Sequence, residues 1–223
     1  MSKELWIEAI SKFLLGVVLV GVLLFLPAFS FEYWNAWLFM GLLFIPMFIV
    51  GIILIVKNPK LLESRLKAKE KENTQKKVIV FSGIMFLLGF ILAGLNYHFN
   101  WFQLPNGFVI LGSMVFMISF VLYGEVLREN TYLSRTIEVR KDQKVIDTGF
   151  YGIIRHPMYA VTITLFLSIP FILNCIYTLF IFLLYPILII KRIKNEEEVL
   201  EKDLKGYKEY KERVKYRLIP YIW

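Results

Sequence analysis

The sequence predicts an all-α integral membrane protein with about six transmembrane helices, the last two forming a helical hairpin, followed by a C-terminal helix at the cytoplasmic surface or interface. Three observations predict it. Of the 223 residues, 57% are hydrophobic and 20 are Phe, with a mean hydropathy of +0.60; that is more apolar surface than a soluble domain of this length buries. The apolar residues gather into runs of membrane-crossing length. The basic residues are confined to alternate connections between those runs.

The runs are Phe13 to Phe29, Trp34 to Val56, Val78 to Leu95, Gly107 to Tyr123, and a long one from Tyr159 to Ile190. A helix needs roughly 20 residues to cross the hydrocarbon core, so the first four runs fit one crossing each. The fifth is too long for one crossing and carries Pro170, Asn174 and Cys175 near its middle. It reads as a tight hairpin turning around Leu173 to Ile176; five crossings result if the hairpin only dips into the membrane. The opening Met-Ser-Lys-Glu-Leu-Trp leads into the first run without a small-residue cleavage signature, so no separate signal peptide is expected. The chain divides into residues 1–123, membrane helices one to four, and residues 124–223, the loop, hairpin and tail.

Charge gives the orientation. Lys3 and Lys12 precede the first run, eight Lys/Arg lie between Lys57 and Lys77, six between Arg128 and Arg155, and ten from Lys191 onward, together all 26. The connections Ser30 to Tyr33, Asn96 to Asn106 and the hairpin turn have none. Six crossings with both termini inside put every basic segment on the cytoplasmic face. The net charge of +8 then reflects orientation and contact with anionic membrane lipid, and no nucleic acid partner is called for. Lys57 to Lys77 has mixed charge and helical propensity and is expected to form a solvated or interfacial helix. The single cysteine, Cys175, excludes an intramolecular disulfide and a multi-cysteine metal site and is expected to pack in the core. His98 has no neighbouring Asp, Glu or Cys, so it reads as an interfacial residue and no metal is expected.

Chemistry concentrates in Gly149 to Tyr159, Gly-Phe-Tyr-Gly-Ile-Ile-Arg-His-Pro-Met-Tyr. Pro157 suits the first turn of a helix, and the residue before a proline is pushed towards extended backbone. His156 therefore stands at a helix start, with the N–H groups of Met158, Tyr159 and Ala160 expected to be unpaired and Arg155 adding positive charge beside them. A ligand carboxylate or phosphate would be received there; the alternative is that Arg155 and His156 only anchor a membrane helix at headgroup level. The polar loop Glu125 to Thr148 leads into this motif, with Ile137 to Val139 and Val145 to Ile146 as a possible short extended segment. After the hairpin, Arg192 and Glu196 are four apart and share a helix face, either as an i,i+4 ion pair or as site residues. Three consecutive acids, Glu196 to Glu198, among so many cations favour the second. The tail aromatics alternate with cations and are expected to lie on the interface.

Dinucleotide-binding, phosphate-loop, zinc-protease and nucleophile-elbow motifs are absent from the sequence. The polar inventory suits a zwitterionic sulfonium cofactor. The helix N-terminus after His156 offers donors for a carboxylate, Glu196 an acceptor for amino or ribose groups, and Tyr151 or Tyr159 an aromatic face.

Gly149-Phe-Tyr151-Gly-Ile-Ile-Arg155-His156-Pro157-Met-Tyr159, the apolar hairpin, Arg192-Ile-Lys-Asn-Glu196-Glu197, and the tail with Gly206-Tyr207-Lys-Glu-Tyr210 and Arg217-Leu-Ile-Pro220-Tyr-Ile-Trp223 together resemble the isoprenylcysteine carboxyl methyltransferase family, in its prokaryotic branch. The resemblance runs from about Ser134 to Trp223, and the first four crossings match only as apolar segments. It implies a membrane-embedded enzyme using S-adenosyl-L-methionine. It also implies cofactor contacts by Tyr151, His156, Pro157, Met158, Tyr159 and Glu196 and by the strip Gln143, Lys144, Val145 and Ile146, with Arg192 holding a lipophilic small-molecule acceptor. Gln143 stands where the family often has histidine. The implied reaction is in-line attack by the acceptor on a sulfonium methyl, with Arg192 and Glu196 as the catalytic pair. The same scaffold is similar to phospholipid and small-thiol methyltransferases, and its C-terminal pattern resembles membrane sterol reductases that use a nicotinamide cofactor. A non-catalytic lipid-binding protein of this fold is the third reading.

Overall fold

The computed structural model describes residues 3–67, 73–130, 132–133, 139 and 143–223. The chain forms α1 (Lys3–Ala28), α2 (Trp34–Lys57), α3 (Pro59–Lys67), α4 (Asn73–His98), α5 (Asn106–Glu129), α6 (Pro157–Ile172), α7 (Ile176–Phe182), α8 (Leu184–Asp203) and α9 (Tyr207–Arg213). It is an all-α integral membrane protein, and no strand occurs among the described residues. Five helical units are long and apolar enough to cross a membrane: Glu4–Ala28, Trp34–Lys57, Gln75–His98, Asn106–Glu129 and Ile176–Asp203. Their outward faces carry large exposed hydrophobics such as Leu15, Leu26, Ile45, Val56 and Val121, the pattern of helices solvated by lipid.

The helices outrun the apolar runs. α1 begins at Lys3, its polar first turns tied by Lys12 donating to Glu8 at 2.7 Å and to the Leu66 carbonyl at the end of α3. α3 occupies the first part of the expected interfacial segment, with Leu61 and Leu62 buried. The loop expected from Glu125 starts five residues later, because α5 continues to Glu129 with Arg128 bonded to Glu125 at 2.8 and 2.5 Å. The boundary expected between 123 and 124 thus falls inside a helix. Ile137 lies outside the described residues, and Val145 and Ile146 form no strand.

The hairpin turns where expected, between Ile172 and Ile176. Its first arm, α6, has only 16 residues, roughly 24 Å of helix against a hydrocarbon core of about 30 Å. Hydrogen bonds nonetheless fix the turn in the layer where the full-length helices end. Tyr33 and Asn35, at the start of α2, donate to the carbonyls of Leu173 and Ile172 at 2.5 and 2.9 Å. Asn96, near the end of α4, donates to the Asn174 carbonyl at 3.2 Å, and the Leu104 N–H, just before α5, donates to the Asn174 side chain at 2.6 Å. The turn therefore lies level with the ends of the other long helices. Cys175 is fully buried in the turn, as expected of a core residue.

The second arm is broken at Leu183. Pro186 has no N–H to return to the Phe182 carbonyl and its ring crowds that carbonyl, so one turn opens. The first arm packs tightly on α5: a Cβ on Gly112 would lie 2.7 Å from Phe171 Cβ and 3.2 Å from the Ser168 carbonyl oxygen. The main core, Leu24, Phe39, Phe90, Phe116, Ile172, Phe182, Ile189 and Ile193 among others, joins α1, α2, α4, α5 and the hairpin. It holds the start of α6 and the close of α8 side by side.

Candidate active site

The motif from Gly149 to Tyr159 begins with a 3-10 turn, Gly149–Gly152. Gly149 has φ of +52°, a left-handed conformation that glycine adopts without steric cost. The Glu129 carboxylate, which accepts the Phe150 N–H at 3.1 Å, sits where any Cβ on Gly149 would be. Beyond the turn, Arg155 and His156 run alongside the tail: their N–H groups donate to the carbonyls of Tyr216 and Arg217 at 2.9 and 3.0 Å. Pro157 then opens α6 at its first turn. The expected row of unpaired N–H groups is not formed. Tyr159 and Ala160 donate to the His156 carbonyl at 3.1 and 3.2 Å, because His156, at φ −126° and ψ 58°, turns its C=O into the first helical turn. Only Met158 keeps an N–H without a partner among the described residues.

A carboxylate locks this start to α8 and the tail. Glu197, 3% exposed, accepts from Arg155 Nε at 2.8 Å and from His156 Nε2 at 3.1 Å on one oxygen, and from Arg217 Nε at 2.9 Å on the other. A carboxylate only accepts, so His156 carries its proton on Nε2. Arg155 also donates through one Nη to the carbonyls of Val214 and Lys215 at 2.7 and 2.8 Å. The charge expected to face a ligand is therefore spent within the protein. Arg217 in turn lies over the Trp223 ring, 5.1 Å from its centroid.

In front of this clamp lies a cavity of about 940 Å³, part of it open to solvent. Its lining brings together eleven of the twelve residues singled out in the sequence: Gln143, Lys144, Val145, Ile146, Tyr151, Arg155, His156, Met158, Tyr159, Arg192 and Glu196. Pro157 is buried and does not line it; its effect is on the backbone of its neighbours. Arg192 and Glu196 meet across the Tyr159 hydroxyl, which donates to Glu196 at 2.6 Å and accepts from Arg192 Nε at 2.8 Å. The His156 and Tyr159 rings stack at 5.7 Å. One residue of α6 thus fixes both polar residues of α8.

Sequence reasoning missed the outer wall. Tyr207 and Tyr210 of α9, expected at the interface, are buried, 4% and 3% exposed, and line the cavity with Leu200, Leu204, Asn130, Tyr132 and Leu133. α9 is held by the Tyr210 hydroxyl donating to the Tyr151 carbonyl at 2.8 Å and by the Arg213–Asp147 and Lys211–Glu201 ion pairs. Burial, more than any neighbouring charge, pushes the hydroxyls of Tyr151, Tyr207 and Tyr210 well above their ordinary range, so all three are neutral O–H groups. The hydroxyls of Tyr151 and Tyr207 have no hydrogen-bond partner among the described residues. Glu197 was missed as a clamp, although it continues the buried stripe of Ile189 and Ile193 at four-residue spacing.

Comparison with known proteins places this site in context. The delta(14)-sterol reductase of Mus musculus is 31% identical over 91 residues, which is 40% of this chain and 22% of that protein. The chain thus spans about a fifth of that relative's length. Residues 107–202 match the isoprenylcysteine carboxyl methyltransferase (ICMT) family. The match begins earlier than the resemblance at Ser134 indicated, taking in nearly all of α5, and ends before α9. The matched stretch, which contains α6, the hairpin and α8, is what this chain has in common with the isoprenylcysteine carboxyl methyltransferase family.

Proposed function

We propose that the chain is a methyltransferase that takes a methyl group from S-adenosylmethionine and passes it to a lipophilic small acceptor, with a carboxylate of the isoprenylcysteine type as the first choice. The observation that carries this reading is the single cavity in which Gln143, Tyr151, His156, Met158, Tyr159 and Glu196 converge with Arg192, all of them inside the family-matched segment. The lining fits such a cofactor chemically. Two neutral tyrosine hydroxyls await acceptors, the Met158 N–H remains available, Glu196 can accept from an amino or ribose group, and tyrosine faces can meet a sulfonium. When bound, S-adenosylmethionine supplies a methyl group already activated by the positive sulfur.

The protein's own residues then position and dehydrate. Tyr159 fixes the guanidinium of Arg192 through Nε, which orients it to hold an anionic acceptor. Arg192 stands one turn nearer the hairpin than Glu196, so an acceptor held there approaches from the membrane side. The acceptor attacks as a carboxylate or thiolate and needs no base, so the rate comes from alignment and exclusion of water. The basic ends of the helices support a cytoplasmic position for this site and both termini.

A nicotinamide-dependent reductase is the second reading, favoured by the similarity to the sterol reductase. Charge weighs against it, because a dinucleotide brings a pyrophosphate. Of the cations lining the cavity, Arg155 is committed to Glu197 and two carbonyls and has no charge to spare for it. The test is calorimetric titration of detergent-purified protein with S-adenosylhomocysteine and, in parallel, NADPH, on wild type and Glu196→Ala. Saturable binding of the first ligand alone, weakened in the variant, is the expected result. Binding of NADPH instead promotes the reductase, and binding of neither by folded protein promotes a non-catalytic lipid-binding role.

A further inference from the structure

We propose that Tyr207 is a binding residue for the nucleoside part of the cofactor, its hydroxyl donating to a neutral acceptor atom of the ribose or the base. The inference rests on the cofactor reading above and adds a residue that lies beyond the family-matched segment, which ends at Lys202. Tyr207 is 4% exposed and lines the cavity, yet its hydroxyl has no partner among the described residues. A buried hydroxyl left unpaired costs folding free energy unless something supplies an acceptor. Its neighbour shows the contrast: Tyr210, one helical turn on, lines the same cavity and spends its hydroxyl on the Tyr151 carbonyl at 2.8 Å. The two rings lie 5.7 Å apart at 51°, so the Tyr207 side chain is packed in place and its hydroxyl is the one polar end left open.

The surroundings select what that hydroxyl meets. Glu197, Glu196 and Arg155 all act electrostatically on Tyr207, Glu197 being already paired with Arg155 and Arg217, and burial keeps the hydroxyl protonated, so it donates and does not carry charge. An incoming carboxylate or phosphate would meet the Glu196 carboxylate in a poorly solvated place, with Arg155 already committed to Glu197. A ribose oxygen or a ring nitrogen accepts a hydrogen bond without that repulsion. Tyr151, 6% exposed and likewise with a hydroxyl that donates to no described residue, offers a second neutral donor in the same cavity. Two uncharged donors beside two carboxylates suit an uncharged, acceptor-rich group, which is what a nucleoside presents.

The experiment is Tyr207→Phe in the full chain, purified in detergent, with Tyr210→Phe as the reference. Two quantities are measured: the melting midpoint without ligand, and calorimetric affinity for S-adenosylhomocysteine and for 5′-methylthioadenosine, which keeps the nucleoside and lacks the amino acid. Expected for Tyr207→Phe is an unchanged or higher midpoint with affinity for both ligands weakened by about tenfold. Tyr210→Phe, which loses a formed bond, should melt lower. The inference is overturned if Tyr207→Phe leaves either affinity unchanged, since a loss confined to S-adenosylhomocysteine would place the contact at the amino acid. It is equally overturned if the unliganded variant is destabilised like Tyr210→Phe or does not fold, since the hydroxyl would then be structural. A wild type that binds neither ligand overturns the cofactor reading itself, a result plainly different from a wild type that binds and a variant that binds equally well.

Discussion

Glu196 and Glu197 are adjacent in sequence and opposite in role. Glu196 is half-buried and bonded through Tyr159 at the cavity, so Glu196→Ala removes a cavity group while the helix packing stays. Glu197 is the buried counter-charge of Arg155 and Arg217, and removing it strands both. Leaving a buried ion pair half-broken costs about 3–5 kcal/mol, so Glu197→Ala should lose most of its folded protein, seen as reduced yield and a lower melting midpoint in detergent. Glu196→Ala should melt like wild type and lose affinity for S-adenosylhomocysteine. Equal destabilisation of the two would mean that the clamp and the site are one structure. Tyr159→Phe separates them further: it leaves Glu197 untouched and unlinks Arg192 from Glu196. Its turnover should fall by roughly ten- to a hundredfold, the cost of two hydrogen bonds to charged groups, with the melting midpoint nearly unchanged. At this scale helical periodicity, which puts residues four apart on one face, was enough to set Arg192 and Glu196 together, and both line the cavity. It could not show that Tyr159 joins them, since that contact crosses from α6 to α8 and depends on how the hairpin closes. The partner of Arg155 escaped for the same reason. The charge of Arg155 was visible, but its partner, forty-two residues away in sequence, was not.

Among the elements, the hairpin was the most legible and α9 the least. Pro170, Asn174 and Cys175 interrupt an apolar run that is otherwise too long, and such an interruption has few structural meanings in a membrane. The turn itself depends on Asn174, whose φ is +53° and whose side chain accepts from the Leu104 N–H at 2.6 Å and donates to Gln103 at 2.8 Å. Asn174→Ala removes both bonds and puts a Cβ residue in the left-handed region, where it costs about 1–2 kcal/mol. Asn174→Gly removes the same bonds without that strain. Thermal unfolding in detergent should therefore rank wild type above Asn174→Gly above Asn174→Ala, and equal losses in the two variants would show that backbone conformation is not what Asn174 is chosen for. α9 escaped because its residues, Tyr207-Lys-Glu-Tyr-Lys-Glu-Arg, alternate aromatics with charges, which is also the pattern of an interfacial segment. What sends its tyrosines inward is the strip 143–147 lying against them, with Val145 packed on the cluster of Leu204, Tyr207, Tyr210 and Val214. No local pattern in either segment announces that pairing.

The molecule as a whole separates a polar end from an apolar body. Every described charge of the clamp and cavity lies at the end shared by α5, the start of α6 and the close of α8, while the far end is held by uncharged amides, Asn35, Asn96, Gln103 and Asn174. That asymmetry fits the positive-inside pattern expected from the sequence: cations at one end favour the cytoplasmic side, and neutral amides can cross during insertion. It predicts the outcome of cysteine labelling with a membrane-impermeant maleimide on oriented vesicles. The native Cys175 is fully buried and should stay silent in both orientations, so single introduced cysteines report alone. Glu198→Cys, exposed on α8, should label only in inverted vesicles. Asn100→Cys, between α4 and α5, should label only in right-side-out vesicles. Tyr177→Cys decides the number of crossings. Its side chain is 40% exposed and its ring meets Trp101 at 6.0 Å, next to the Asn100 connection, so it should label with Asn100→Cys and not with Glu198→Cys. Labelling of Tyr177→Cys from the Glu198 side would mean a hairpin that enters and leaves by one face, and the hydrogen bonds from Tyr33, Asn35 and Asn96 to the turn could then not exist as drawn. A full crossing also matters for the proposed chemistry. It would carry α6 and α8 through the bilayer side by side, so that Arg192 would stand where a lipid-borne acceptor could reach it and Glu196, one turn further out, where a water-borne cofactor could.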